Sequence, residues 1–130
     1  QLKIEIGIVY PRAQDALGYA KGKELMKGLP VKLPVRSSEI EEATGEVADQ
    51  IVDAIKNVLD VTPPELVNDI AEFGIVLSGG GSKIYGMDTL IEEKTGVRVR
   101  KMEKPELVVA TGAGTARKYV AEEVVITSDV

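Results

Sequence analysis

The chain has no cysteine and no histidine, and its 130 residues include no tryptophan and a single phenylalanine. Without cysteine there are no disulfides or thiolate metal sites, and without histidine the commonest metal ligand and the usual general base are absent. These absences exclude zinc chemistry and Ser-His or Cys-His catalysis. Aromatic residues make up only 4% of the chain, so stacking platforms for single-stranded nucleic acid are scarce.

Positive charge is also in short supply, because 21 acidic residues oppose 16 basic ones and the net charge is −5. Such a chain repels a phosphate backbone unless its basic groups cluster strongly. The one basic cluster, Arg98, Arg100 and Lys101, is short and is followed by Glu103, which is typical of a solvated strand face. We expect no nucleic-acid partner.

Long apolar runs are missing as well. None approaches the roughly 20 residues that cross a bilayer, and no signal-peptide layout is seen. We therefore expect a cytoplasmic protein. With 44% hydrophobic and 28% charged residues, the composition is typical of a soluble folded chain. Its length predicts one compact domain or two small subdomains.

The first ten residues allow two interpretations. Apolar and polar residues alternate at first, which favours a strand. The same residues are also typical of the end of a helix, with Gly7 near its C-terminus and Pro11 stopping it. The pattern alone leaves helix and strand open.

A hairpin is predicted next. Two short segments, around Leu17 to Lys21 and Val31 to Val35, are separated by glycine and proline residues. Pro34 cannot donate a hydrogen bond to a strand ladder, so its strand should lie at an edge or end there.

Two helices should follow the hairpin. Apolar residues recur at helical spacing after Ser37 and Ser38, which predicts a serine-capped helix from Ser38 to Leu59. A second, short helix is expected to run through Ile70, with Thr62 as its cap and Gly74 at its end.

The remainder of the chain predicts a βαβα order with a parallel strand pair. The tail from Glu122 on, which includes residues 123–127, is predicted to be either an added strand or a frayed end. The predicted strands are 75–77 and 97–101, and the predicted helices are 84–94 and 105–120.

The most informative stretch delivers three glycines, Gly79, Gly80 and Gly81, from a strand to a helix start. Consecutive glycines let a ligand approach the backbone, and a helix N-terminus behind them supplies free N–H groups. This geometry suits a nucleotide. A tight strand-to-helix turn without a ligand would use glycines too, so both interpretations stay open.

Two lysines flank this stretch. Lys83, one turn into the expected helix, could lay its stem against a ligand ring, and Lys3 could do so from the opposite side if the first segment is a helix. The alternative is two solvated lysines. A second glycine pair, Gly112 and Gly114, falls within the last predicted helix, where close helix-to-sheet packing explains it best.

One group of acids needs no catalytic role. Their spacing is that of the first turns and the exposed face of a helix, where negative charge complements the helix dipole. This position does not indicate catalysis. They are Glu39, Glu41, Glu42 and Glu46.

Four segments together resemble, in order and spacing, the C-terminal part of the MreB and Mbl proteins, which are bacterial actins. The segment Thr-Pro-Pro-Glu-Leu, a few residues before Leu-Ser-Gly-Gly-Gly, is peculiar to that family among actins, sugar kinases and heat-shock chaperones. The resemblance covers most of the chain and fades in 10–23 and after Val120. The four segments are Lys3–Gly7, Gly28–Pro30, Thr62–Ile70 and Gly74–Gly81.

The resemblance implies an α/β, actin-like fold with a ribonuclease-H-like base in the second of two lobes. Residues 1–10 would then be the end of a helix that lines a nucleotide cleft. Residues 11–72 would form a small upper α+β subdomain, with the hairpin and helices. Residues 73–130 would form the βαβα part of the base.

The resemblance also implies the adenosine side of an ATP or ADP site. The glycines match the adenosine-binding turn, Lys83 lies where some relatives stack a cation on adenine, and Glu106 lies where chaperone relatives have an acid. Lys3 and Glu5 match the helix on the other side. The implied nucleotide-binding residues are Lys3, Glu5, Gly79, Gly80, Gly81, Ser82, Lys83 and Glu106.

The implied function is that of a filament-forming cytoskeletal protein involved in cell shape, which lies near the inner face of the cell membrane. This chain would contribute a longitudinal filament contact, with other copies and the N-terminal lobe as partners and the membrane reached only indirectly. The family's phosphate motifs and hydrolytic acid lie outside these residues, so magnesium would come only through the other lobe. We expect no ATPase activity from this chain alone, and no catalytic or metal-binding residues.

Two alternatives remain at this point. The chain is either a fragment of another ATPase of the actin, sugar-kinase and heat-shock superfamily, or a non-enzymatic assembly module. A base sheet without its first strands would also expose an edge, which favours self-association.

Overall fold

A computed structural model describes the backbone of residues 2–126 and the side chains of residues 2–117. It contains five α-helices, four strands and two 3₁₀ turns. In chain order they are α1 (Leu2–Ile6), β1 (Leu17–Lys23), β2 (Pro30–Arg36), α2 (Ser37–Val61), α3 (Pro64–Phe73), β3 (Ile75–Leu77), a first 3₁₀ turn (Gly80–Lys83), α4 (Met87–Thr95), β4 (Val99–Lys101), a second 3₁₀ turn (Pro105–Leu107) and α5 (Val108–Ile126).

The first segment is a helix, so the structure decides between the two interpretations that the pattern left open. After α1 the chain is extended at Ile8, which forms an isolated parallel bridge with Tyr85. The helix also packs closely on the hairpin, because a Cβ at Gly18 would lie 2.8 Å from Ile6 Cδ1. A glycine in β1 therefore makes room for α1.

The predicted hairpin is present as an antiparallel pair, with Tyr19 opposite Pro34. A two-stranded ribbon has only edge strands, which is why a proline is tolerated in β2. Gly28, with φ 68°, closes the turn, and its N–H donates to the Glu24 carbonyl at 2.8 Å.

Helix α2 is confirmed but begins differently from the prediction. Arg36, not a serine, is the cap residue, and its N–H donates to Glu39 Oε2 at 2.7 Å. Both serines bond instead to Asp15 before the hairpin: Ser37 Oγ donates to Oδ1 at 2.5 Å and Ser38 Oγ donates to Oδ2 at 2.8 Å. The Ser38 N–H also donates to Oδ1, at 3.0 Å. The Asp15 carboxylate, which is distant in sequence, thus accepts a backbone N–H at the start of the helix, where a serine cap was expected.

Helix α3 is present too, although the prediction of Thr62 as its cap is wrong. Pro63 is the cap residue, while the Thr62 hydroxyl donates back to the Val58 carbonyl of α2 at 2.6 Å. Gly74 ends α3 as expected, with φ 82°. A Cβ there would lie 2.7 Å from the Arg98 carbonyl oxygen, so this glycine also lets β3 approach the chain before β4.

The predicted parallel pair is formed by β3 and β4, with Val76 opposite Arg100. The helix between them begins at Met87 and not at Ile84, because the glycine run first forms a 3₁₀ turn. The basic residues of β4 and the segment before it were expected to be solvated, but two of them have partners within the protein. Lys101 pairs with Asp88 at 2.8 Å, and Arg98 donates to the Glu72 carbonyl at 2.7 Å.

The last helix, α5, follows the second 3₁₀ turn and continues to Ile126, so the tail that was expected to be a strand or a frayed end is helical up to that residue. The part of that prediction from Thr127 on lies outside the described residues. Gly112 and Gly114 lie within α5, but a Cβ at either position would meet nothing within 4 Å. The close helix-to-sheet packing expected there is therefore not found among the described residues.

The main core lies where α2 meets α4. Ala48 and Val52 of α2 pack with Val9 and with α4 residues, of which Ile91 is 1% exposed. The buried members are Val9, Ala48, Val52, Met87, Leu90 and Ile91. The helix predicted with the hairpin is thus anchored on the helix that follows the glycine run.

Candidate functional site

The candidate site is built at the carboxyl ends of β3 and β4. Because the two strands are parallel, the segments that leave them emerge at the same edge of the sheet. The Met102 N–H donates to the Leu77 carbonyl at 3.3 Å, and the Gly79 N–H donates to the Pro105 carbonyl at 2.6 Å. These two bonds join the glycine turn to the second 3₁₀ turn.

The three glycines of the turn differ in whether the backbone conformation requires glycine at their position. Gly79 has φ 80°, in the region that favours glycine. Gly80 and Gly81 have no positive φ, and a Cβ at any of the three positions would meet nothing within 4 Å. Neither backbone conformation nor packing within the described residues therefore requires glycine at 80 and 81. Their missing side chains leave the backbone open to a flat ligand.

Ser82 stabilises the glycine turn through hydrogen bonds. Only 5% of this residue is exposed, and its hydroxyl donates to the Gly79 carbonyl at 2.7 Å. The Ser82 N–H donates to the same carbonyl at 3.3 Å, and the Ile84 N–H donates to the Gly81 carbonyl at 3.2 Å. Ser82 is therefore a support for the glycine turn, with its hydroxyl directed to the protein.

Lys83 and Glu106 meet across the two 3₁₀ turns. Lys83 Nζ lies 2.7 Å from Glu106 Oε1, and about half of each side chain is exposed. The hydrogen bond from Lys83 lowers the pKa of the Glu106 carboxyl from its ordinary value. The ion pair therefore places one cation and one anion at the border of the glycine turn. Lys83 reaches this position from the end of a 3₁₀ turn, so its expected place one turn into an α-helix is wrong.

Lys3 and Glu5 are exposed on α1 and line a separate concavity, shared with the β1 residues Leu17 and Tyr19. The structure therefore groups five of the predicted residues with Glu106 at the strand ends, and it places Lys3 and Glu5 with the hairpin.

The two groups are connected through the backbone. The Tyr85 N–H donates to the Gly7 carbonyl at 3.2 Å, and the Val9 N–H donates to the Tyr85 carbonyl at 3.0 Å. A Cβ at Gly86, which has φ 81°, would overlap with Tyr10 Cβ. The segment after α1 is thus held tightly against the segment after the glycine turn.

One participant that the sequence did not single out is Pro105. It is buried, and its carbonyl accepts the Gly79 N–H. The predicted parallel pair contained the signal, because residues after both strands must emerge at one edge. The expected helix N-terminus behind the glycines is wrong, since a four-residue 3₁₀ turn stands there.

Two general features bear on the chemistry. Among the side chains of residues 2–117, no group of three or more acidic residues is placed to hold a metal ion. The helices within residues 2–126 are all too short or too polar to cross a membrane.

Comparison with known proteins gives a family match over almost the whole chain. The model of the family described as MreB/Mbl protein matches residues 1–124. The cell shape-determining protein Mbl of Bacillus cereus is 42% identical over 113 residues, which is 87% of this chain and 34% of that protein. The cell shape-determining protein MreB of Escherichia coli is 38% identical over 120 residues, 92% of this chain and 35% of that protein. The chain spans about a third of the length of these relatives.

Solved structures show the same fold. MreB5 of Spiroplasma citri bound to ADP superposes with a TM-score of 0.86 at 24% identity, over 95% of this chain and 37% of that one. A non-polymerising MamK mutant bound to AMPPNP superposes with a TM-score of 0.64 at 23% identity, over 82% and 32% of the two chains. The α/β, actin-like fold is thereby confirmed.

Proposed function

The chain belongs to the MreB/Mbl family, and from this membership we propose that it supplies the adenosine side of an ATP or ADP cleft in a filament-forming bacterial actin involved in cell shape. The observation that carries the proposal is the open glycine turn, where Gly80 and Gly81 have no conformational or packing reason to be glycine. A nucleoside that rests on the backbone supplies such a reason.

The proposed contacts follow the geometry. The ribose and adenine lie over Gly79, Gly80 and Gly81, while Ser82 holds the turn from the protein side. The aliphatic part of the Lys83 side chain lies against the adenine face, and Glu106 holds the Lys83 ammonium group in place. Lys3 and Glu5 line the separate concavity beside the hairpin, and their role in closing the cleft from α1 rests on the family resemblance. The solved MreB5 structures that share this fold hold ADP and AMPPNP, which supports the ligand class.

Magnesium and the phosphates would be held by the other lobe of the longer relatives. In the assignment we propose, residues 1–10 end a cleft helix, 11–72 form the small upper subdomain and 73–130 form part of the base. The family match favours a bacterial actin over a sugar-kinase or heat-shock fragment. The protein would lie in the cytoplasm near the inner face of the membrane, with the membrane reached only through other regions.

The longitudinal filament contact would involve other copies of the chain. Support comes from the hairpin turn, where Leu25 is fully exposed and Met26 is 93% exposed. Neighbouring apolar residues that are exposed on the surface are typical of an interaction site.

The test of the nucleotide site is titration with a fluorescent ATP analogue, with and without magnesium. Gly80→Val should abolish binding, because a branched side chain would occupy the space over the turn while its backbone conformation stays allowed. The matched control is Gly22→Val in β1, another glycine with open space and no positive φ. Binding should survive in the control and should not depend on magnesium. Equal binding by both variants, or none by the unaltered chain, would refute the adenosine half-site.

A further inference from the structure

Helix α2 carries two apolar faces, of which only one is used by the core. Ala48, Val52 and Ile55 face α4 and the core cluster. A second set of apolar residues repeats along the same helix at alternating spacings of four and three. This second apolar face consists of Val47, Ile51, Ala54, Val58 and Val61.

The second apolar face is open to solvent. Val47 is 57% exposed, Val58 is 62% exposed and Val61 is 83% exposed, while Ile51 at 42% is partly shielded. Ala54, in the middle of the set, is also exposed. At about 1.5 Å per residue, the set runs for roughly 20 Å along the helix axis.

Charge is excluded from this face although the helix is acidic. At about 100° per residue, the side chains beside the face are those of Ala43, Gln50 and Asn57, all uncharged. The acids lie around the other side of the helix. Along the length of the face they are Glu46, Asp49, Asp53 and Asp60, while Glu39, Glu41 and Glu42 lie in the part of the helix before Val47.

We propose that the second apolar face of α2 packs against the same face of a second copy of this chain. The four-three spacing is the repeat by which two helices interlock their side chains. Since no charged residue borders the face, two identical faces meet without like-charge repulsion. The acids on the rest of the helix disfavour an anionic membrane or a nucleic acid as the occupant.

The proposal rests on the self-association proposed above, and it adds a two-fold contact at a defined surface to the longitudinal contact. A two-fold contact uses the same residues on both copies. Specific stable interfaces bury roughly 1,200 Å² or more, so a contact along one helix should be weak by itself and is best trapped covalently.

The absence of native cysteine makes a sharp test available. Ala54→Cys places a single thiol at the centre of the face, and Asp53→Cys places one on the adjacent residue, on the acidic side. Under mild oxidation at high concentration, without nucleotide, Ala54→Cys should form the covalent dimer at least tenfold faster than Asp53→Cys. Adding Val58→Lys to Ala54→Cys should remove that excess, while circular dichroism should show the helix intact.

A mixture of Val47→Cys and Val61→Cys chains then reads the orientation. Mixed dimers indicate antiparallel helices, dimers of each variant with itself indicate parallel ones, and either result supports the contact. Equal rates for Ala54→Cys and Asp53→Cys overturn the proposal. So does vesicle binding that Val58→Lys removes while no cross-link forms. If the chain forms larger species but Ala54→Cys fails to cross-link, this surface is refuted and self-association through another one stands.

Discussion

The hairpin and the α4 region are stabilised in different ways. Ile91 and Met87 of α4 are almost fully buried, whereas Leu17, Tyr19 and Leu33 of the hairpin are each more than half exposed. The hairpin depends on its strand ladder, on the close contact at Gly18 and on Asp15. The α4 region instead carries the core and, beside it, the open glycine turn. The candidate nucleotide site thus lies on the packed part of the molecule, and the hairpin presents its apolar side chains outward.

The comparison predicts its largest effect in the core. Ile91→Ala should lower the free energy of unfolding by roughly 2 to 5 kcal/mol, because it removes buried methylenes and leaves a cavity. Leu33→Ala in β2, a comparable truncation at an exposed site, should change it by less than about 0.5 kcal/mol. Urea unfolding monitored by circular dichroism measures both. Similar losses for the two variants would show that the hairpin side chains are covered in solution.

Much of this fold could be predicted because its signals are local. The hairpin, α2 and the parallel pair follow from side-chain spacing and from the positions of glycine and proline. The errors arose where a distant group decided the outcome. Asp15 replaced the expected serine cap from more than 20 residues away, and the Pro105 carbonyl fixed Gly79 across the sheet edge.

For the candidate site, composition and spacing supplied the glycine turn, and the family resemblance supplied Glu106 and α1. The sequence could not give the 3₁₀ geometry of Gly80–Lys83, because three glycines in a row carry little helical preference of either kind. Nor could it give the Lys83 to Glu106 pair, which joins residues 23 positions apart. Only the parallel strand ends bring those two side chains together.

The next prediction concerns how tightly the segment after α1 is held. Gly86→Ala combines a positive φ with a clash against Tyr10 Cβ, whereas Gly96→Ala combines a similar φ of 71° with open space. The second change isolates the backbone cost of about 1 to 2 kcal/mol. Gly86→Ala should be worse by a further 1 to 3 kcal/mol or so, from overpacking. Denaturant midpoints of the pair give this difference directly, and equal midpoints would mean that Tyr10 moves aside freely.

The smallest expected effect is the pH dependence of the contact between Asp15, which precedes the hairpin, and the start of α2. Hydrogen bonds from Ser37 and then Ser38 lower the pKa of Asp15 from its ordinary value of 3.8. A lowered folded-state pKa means that the contact stabilises the fold above the ordinary value and that this contribution is lost as pH falls through the lower one. Asp15→Asn should therefore melt below the unaltered chain near neutral pH, and the gap should close in acid. Thermal melts across this range measure it. Because the Ser38 hydroxyl donates one of the bonds to Asp15 and alanine keeps only the backbone N–H bond, the gap should also narrow in a Ser38→Ala background. A gap that stays constant with pH would show that the Asp15 charge contributes nothing and that only its shape matters.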